Sequence, residues 1–67
     1  MIIHYNQQEN LELKEGLTLN EFLQSKQLSR EGVAVAVDEK IVKKADFDTF
    51  VLKDGMSVDV FNMVSGG

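Results

Sequence analysis

"EGLTLNEFLQSKQL", Glu15 to Leu28, is the stretch in which the spacing of apolar residues changes from two to between three and four. Gly16 marks a turn. Thr18, followed three residues later by Glu21, is a capping box, in which each side chain takes up a backbone N–H left orphaned at a helix start. Leu17 and Phe22 occupy the two hydrophobic staple positions around it. From Leu19 to about Gln27, Leu19, Phe22 and Leu23 fall on one stripe, with Asn20, Glu21, Gln24 and Ser25 away from it. The spacing predicts an amphipathic helix that must cover an apolar surface, and the flanking segments supply one.

Before the helix, "IIHYN" (Ile2 to Asn6) is β-branched and aromatic, and "NLELK" (Asn10 to Lys14) alternates Leu11 and Leu13 with polar neighbours across the polar link "QQE". This reads as a hairpin whose inner face carries Ile3, Tyr5, Leu11 and Leu13, because side chains alternate across a strand. After Gly32, "VAVAV" (Val33 to Val37) is a small apolar strand of the kind that is buried on both faces or lies beneath a helix, "DEK" turns it back and "IVKK" returns. "ADFDTFVLKDG" places Phe47, Phe50 and Leu52 as core plugs, and Asp54-Gly55 makes a tight turn into a last strand, "SVDVFNMV" (Ser57 to Val64). A helix crossing between two hairpins on one face of a sheet is right-handed, which sets the last strand parallel beside the first. The expected fold is α+β, a mixed sheet of four to five strands around one main helix.

At 67 residues the chain is one small domain, which buries only about 60% of its unfolded surface. It has no cysteine, so no disulfide or thiolate cluster supplements the core, and a reducing compartment suits it. "MIIHYNQQEN" has neither a basic leader nor a long apolar run, so we expect a soluble, cytoplasmic protein with no membrane partner. The net charge is -4, and apart from Lys43-Lys44 the cations stand singly. This is the wrong balance for a nucleic-acid ligand and better suited to a basic protein partner. The lone His4 reads as a surface or edge residue. Asp46 and Asp48, with Asp38 and Glu39, match no calcium-loop spacing, so no metal site is expected. No nucleophile triad, phosphate loop or paired cysteine motif is present, and catalytic residues are therefore expected to be none.

The chain ends "MVSGG", Met63 to Gly67, and two terminal glycines bring no side chains to pack and much conformational entropy to lose. The order of elements together with this ending resembles the β-grasp, ubiquitin-like fold. Within that fold, "VAVAVDEKIV" and "DGMSVDVFNMVSGG" resemble the ThiS family, the bacterial sulfur carriers of thiazole (thiamine) biosynthesis. The resemblance covers the whole chain. Asp59, where an apolar residue is expected, and Ser65, where alanine is common, depart from the pattern.

The resemblance implies a β-grasp domain over 1–64 and a flexible tail at 65–67. It implies that Gly67, the covalent carrier site reached through Ser65 and Gly66, is adenylated by a ubiquitin-activating-type (ThiF-like) enzyme using ATP. The product is converted to a thiocarboxylate with sulfur from a donor such as a cysteine desulfurase system, and thiazole synthase (ThiG-like) then takes the sulfur. No cofactor is bound by the carrier, and the chain acts as cosubstrate rather than enzyme. Glycines at 66 and 67 suit this chemistry, since a chain without Cβ atoms threads a narrow tunnel.

In the last strand Val58, Val60 and Val64 suit the core, which directs Asp59, Phe61 and Met63 outward. An exposed aromatic ring and a pliable thioether near the tail make Phe61 and Met63 the expected docking residues; the alternative is that the loop from Asp46 to Phe50 covers both. Three other functions share the fold: the sulfur carrier of molybdopterin synthesis, a β-grasp interaction module whose terminus is incidental, and a protein-conjugating modifier.

Overall fold

Residues 1–62 are described in the computed structural model of the chain. β1 (Ile2–Tyr5) and β2 (Glu9–Glu12) form the opening hairpin with Ile3 opposite Leu11. Its turn places Asn6 and Gln7 at φ 53° and 59°, the left-handed pair that suits the right-handed twist of hairpin strands. Asparagine tolerates that region better than most residues. Asn6 also extends the sheet, its N–H donating to the Val58 carbonyl at 2.9 Å and its Oδ1 accepting from the Val60 N–H at 2.7 Å.

α1 (Leu19–Ser25) starts as its sequence dictates. The Glu21 N–H donates to Thr18 Oγ1 at 3.1 Å and the Thr18 N–H donates to Glu21 Oε1 at 2.9 Å. The hydrogen bond from the Thr18 N–H, and after it the Thr18 side chain, hold the Glu21 carboxyl below the ordinary glutamate range. The helix ends two residues before the expected Gln27. Gln27 takes φ 61°, its N–H donates to the Gln24 carbonyl at 2.9 Å, and the Leu28 N–H donates to the Leu23 carbonyl at 2.9 Å. This is a Schellman closure with glutamine in the place glycine usually holds. Leu28 is packed against the core, and its burial supports the reversal.

β3 (Val33–Val37) and β4 (Lys40–Val42) form the second hairpin, again through a left-handed pair, Asp38 and Glu39 at φ 50° and 69°. β5 (Ser57–Asn62) completes a five-stranded sheet in the order β2-β1-β5-β3-β4. The first and last strands are parallel neighbours, and all other pairs are antiparallel. The turn before β5 fixes that parallel pairing. Gly55 takes φ +86°, its N–H donates to the Ile2 carbonyl at 2.8 Å, and Asp54 Oδ1 accepts from the Ile2 N–H at 2.6 Å. A residue with a Cβ is strained at such a φ, which is why the turn carries "DG".

The core lies between α1 and one face of the sheet. Ile3, Val35 and Val58 from the strands meet Leu19, Phe22 and Leu23 from the helix, all fully buried. Phe47 and Leu52 enter from the connection between β4 and β5, as expected, whereas Phe50 is only partly buried. That connection is tied to the start of the helix: the Leu19 N–H donates to the Phe50 carbonyl and the Leu52 N–H to the Leu17 carbonyl, each at 2.8 Å. Val33, Val35 and Val37 face the helix, and Ala34 and Ala36 the opposite side.

Candidate functional site

Alternation along β5 assigns its side chains to the two faces. Val58 is fully buried and Val60 packs against the core, so Asp59 and Phe61 stand on the face that α1 leaves uncovered. Phe61 lies opposite Ala34 and is 53% exposed. The loop from Asp46 to Phe50 does not cover it, since Phe47 plugs the core and Phe50 packs on the helix side. Ile41 on β4, opposite Ala36, is 69% exposed on the same outer face. Two small residues, Ala34 and Ala36, thus separate two large exposed ones, giving a shallow apolar surface rather than a pocket.

Asp59 departs from the outward, solvated position that alternation alone gives it. It lies opposite Ala36, is only 8% exposed, and its Oδ1 is buried with no hydrogen-bond partner among the described residues. A buried acceptor left unpaired costs about 1–3 kcal/mol, more when charged. Beside it is a depression of about 380 Å³ lined by Gln7, Asp38, Glu39, Ser57 and Asp59. Asp38 Oδ1 accepts from the Ser57 N–H at 2.9 Å, which ties the β3–β4 turn to the start of β5.

The acidic residues weighed as metal ligands are dispersed. Asp48 pairs with Arg30 at 3.0 Å, whereas Asp38 serves the backbone of Ser57. Among the described residues no group of three or more acidic or histidine side chains is placed to hold a metal ion. His4 Nδ1 lies 2.6 Å from Asn10 Oδ1 across the first hairpin, so the one histidine braces two strands on the surface. Among the described residues no helix is long and apolar enough to cross a membrane.

Of the residues expected to carry sulfur or dock a partner, Phe61 alone belongs to the described part. Met63, Ser65, Gly66 and Gly67 lie outside the described residues, as does the expected boundary between a domain at 1–64 and a tail at 65–67. Sequence reasoning missed Ile41 and the burial of Asp59. The period of two already directed Asp59 and Phe61 to one face, but the register that sets Ala36 and Ala34 opposite them, and the depth on that face, follow from which strands flank β5.

The model of the ThiS family matches residues 2–67, from the first strand through both terminal glycines. The chain belongs to the ThiS family. The crystal structure of the thiamine biosynthesis protein ThiS from Geobacter metallireducens is similar at 24% identity, with a TM-score of 0.85 and full coverage of both chains. A solution structure of a thiamine biosynthesis protein from the same organism matches at 25% identity and a TM-score of 0.79, covering all of this chain and 88% of that one. No curated protein matches the sequence. The shared architecture is the β-grasp fold, and ThiS membership supports a sulfur-carrier role in thiamine biosynthesis.

Proposed function

We propose that this ThiS-family chain carries sulfur on its C-terminal glycine. The observation that supports it best is the family match running through Gly66 and Gly67 on a β-grasp body. A carboxylate resists nucleophiles because it is anionic and its oxygen leaves poorly. In the proposed sequence the Gly67 carboxylate attacks the α-phosphorus of ATP, held by a ThiF-like adenylating enzyme, and pyrophosphate departs. The acyl-adenylate carbonyl is then attacked by the terminal sulfur of a persulfide on a donor such as a cysteine desulfurase system, AMP leaves, and a thiol attacks the donor's inner sulfur, forming a disulfide there and releasing the Gly67 thiocarboxylate. The resulting thiocarboxylate is the nucleophile that a ThiG-like thiazole synthase uses. The chain itself supplies the carboxylate and no catalytic group.

Threading a glycine tail loses entropy that docking of the folded body must offset. Phe61, exposed six residues before Gly67 on the face opposite the helix, is the anchor for that docking. Met63 extends the same anchor in this proposal. The test is pyrophosphate release by the cognate adenylating enzyme. The intact chain releases it with ATP, whereas a chain lacking Gly67, or extended by one residue beyond it, does not and keeps its fold. Equal release from the shortened or extended chain would contradict the proposal and favour an interaction module with an incidental terminus.

A further inference from the structure

The outer face combines two features that do not ordinarily occur together: an apolar surface of Phe61, Ala34, Ala36 and Ile41, and within it an aspartate, Asp59, that is only 8% exposed. Asp59 has an unpaired buried oxygen and lines a depression with Asp38, Glu39, Ser57 and Gln7. An isolated chain gains nothing by keeping an unpaired acceptor at such depth, where an apolar side chain satisfies the same strand. A cation delivered from outside resolves the conflict.

We propose that Asp59 is the seat of an arginine side chain from the adenylating enzyme that docks on this face. The proposal rests on the carrier reading above and adds the chemistry of the partner. Three properties favour guanidinium over other cations. A metal ion needs a closed set of ligands, and no such set exists among the described residues. An ammonium is strongly hydrated and enters an apolar surround reluctantly, whereas guanidinium is weakly hydrated and stacks on aromatic rings such as Phe61, two residues along the same face. The fork of five N–H donors also matches acceptors spread around the depression, with Asp59 at its floor and Gln7, Asp38 and Glu39, all exposed, at its rim. The net charge of -4 steers a basic partner in the same sense.

The experiment measures affinity for the cognate adenylating enzyme by calorimetry, alongside ATP-dependent pyrophosphate release and thermal melting, for the native chain and the variants Asp59→Asn, Asp59→Leu and Glu12→Gln. Truncating one partner of a buried charge pair costs about thirtyfold or more in affinity. Asp59→Asn and Asp59→Leu are therefore expected to bind about thirtyfold more weakly, with melting temperatures equal to or above the native one. Glu12→Gln, an exposed charge on β2 that does not line the depression, is expected to stay within about threefold. As a partner-free probe, arginine amide titrated into labelled protein shifts the amide signals of Gln7, Ser57 and Asp59, and Asp59→Asn abolishes those shifts. If the native chain releases pyrophosphate and Asp59→Asn binds equally well, the arginine seat is wrong and the carrier reading stands. If the native chain releases none, the carrier reading fails, and with it the enzyme as occupant. Arginine-amide shifts that are identical in native protein and Asp59→Asn overturn the seat itself.

Discussion

The two faces of the sheet are made by alternate residues of the same strands, yet they differ in almost every physical respect. On the helix side Ile3, Val35 and Val58 are fully buried against Leu19, Phe22 and Leu23. On the other, Phe61 and Ile41 are more than half exposed, and a carboxylate occupies the most buried position of β5 on that face. The helix side is saturated: its large residues have packing partners, and the backbone around it is tied by the capping box and the Leu17–Leu52 and Leu19–Phe50 bonds. The outer face is unsaturated, with apolar area and an acceptor both lacking partners among the described residues. With docking on the outer face, as proposed, stability and recognition fall to opposite sides of one sheet, and a substitution on one side should leave the other's property nearly untouched.

The sharpest break of that division comes from the saturated side. Leu23→Ala removes a fully buried side chain under the helix and is expected to destabilise the fold by about 2–5 kcal/mol, a large share of the 5–15 kcal/mol typical of a domain. Urea titration measures it, and the protein that remains folded should dock with native affinity. Phe61→Ala is the mirror experiment. Melting should stay within about 0.5 kcal/mol of native, while affinity for the adenylating enzyme falls by about 2 kcal/mol, as for an aromatic anchor at an interface. A large loss of stability from Phe61→Ala would erase the distinction between the faces.

Two smaller effects sharpen the comparison at the helix ends. Gln27 holds a left-handed φ of 61° that disfavours a side chain, so Gln27→Gly should stabilise the fold by about 0.5–1 kcal/mol in the same titration. Glu21 has its carboxyl held down by the Thr18 bonds in the folded state. A depressed carboxyl stabilises the fold fully above the ordinary glutamate range and loses that contribution as pH falls through the folded value. Glu21→Gln keeps the capping geometry and should flatten this acid-side slope in melts from neutral pH downward, with little change at neutral pH.

These elements also show how far the amino-acid sequence carries an observer. The start of α1 was legible because Thr18 and Glu21 satisfy each other locally, without help from the rest of the molecule. The parallel pairing of β1 with β5 followed from the handedness of crossovers, and the "DG" turn marked where β5 begins. The end of α1 was not legible, because glutamine gives no stop signal and the reversal depends on Leu28 reaching a core assembled from distant strands. Asp59 was legible as to face and illegible as to depth. Alternation fixes direction, whereas burial at that point arises from β1 and β3 flanking β5, a property of strand order. Phe61 was read correctly as outward for the converse reason: near the end of its strand, opposite an alanine, little stands over it.

The proposal that Gly67 carries sulfur is decided by the intact mass of the protein isolated from its own cells. We expect a species in which one oxygen has been replaced by sulfur, with fragmentation placing the change at Gly67, and we expect this species to disappear when the adenylating enzyme is removed. A chain that shows only the unmodified mass, in cells that are actively making thiazole and contain the adenylating enzyme, would contradict it.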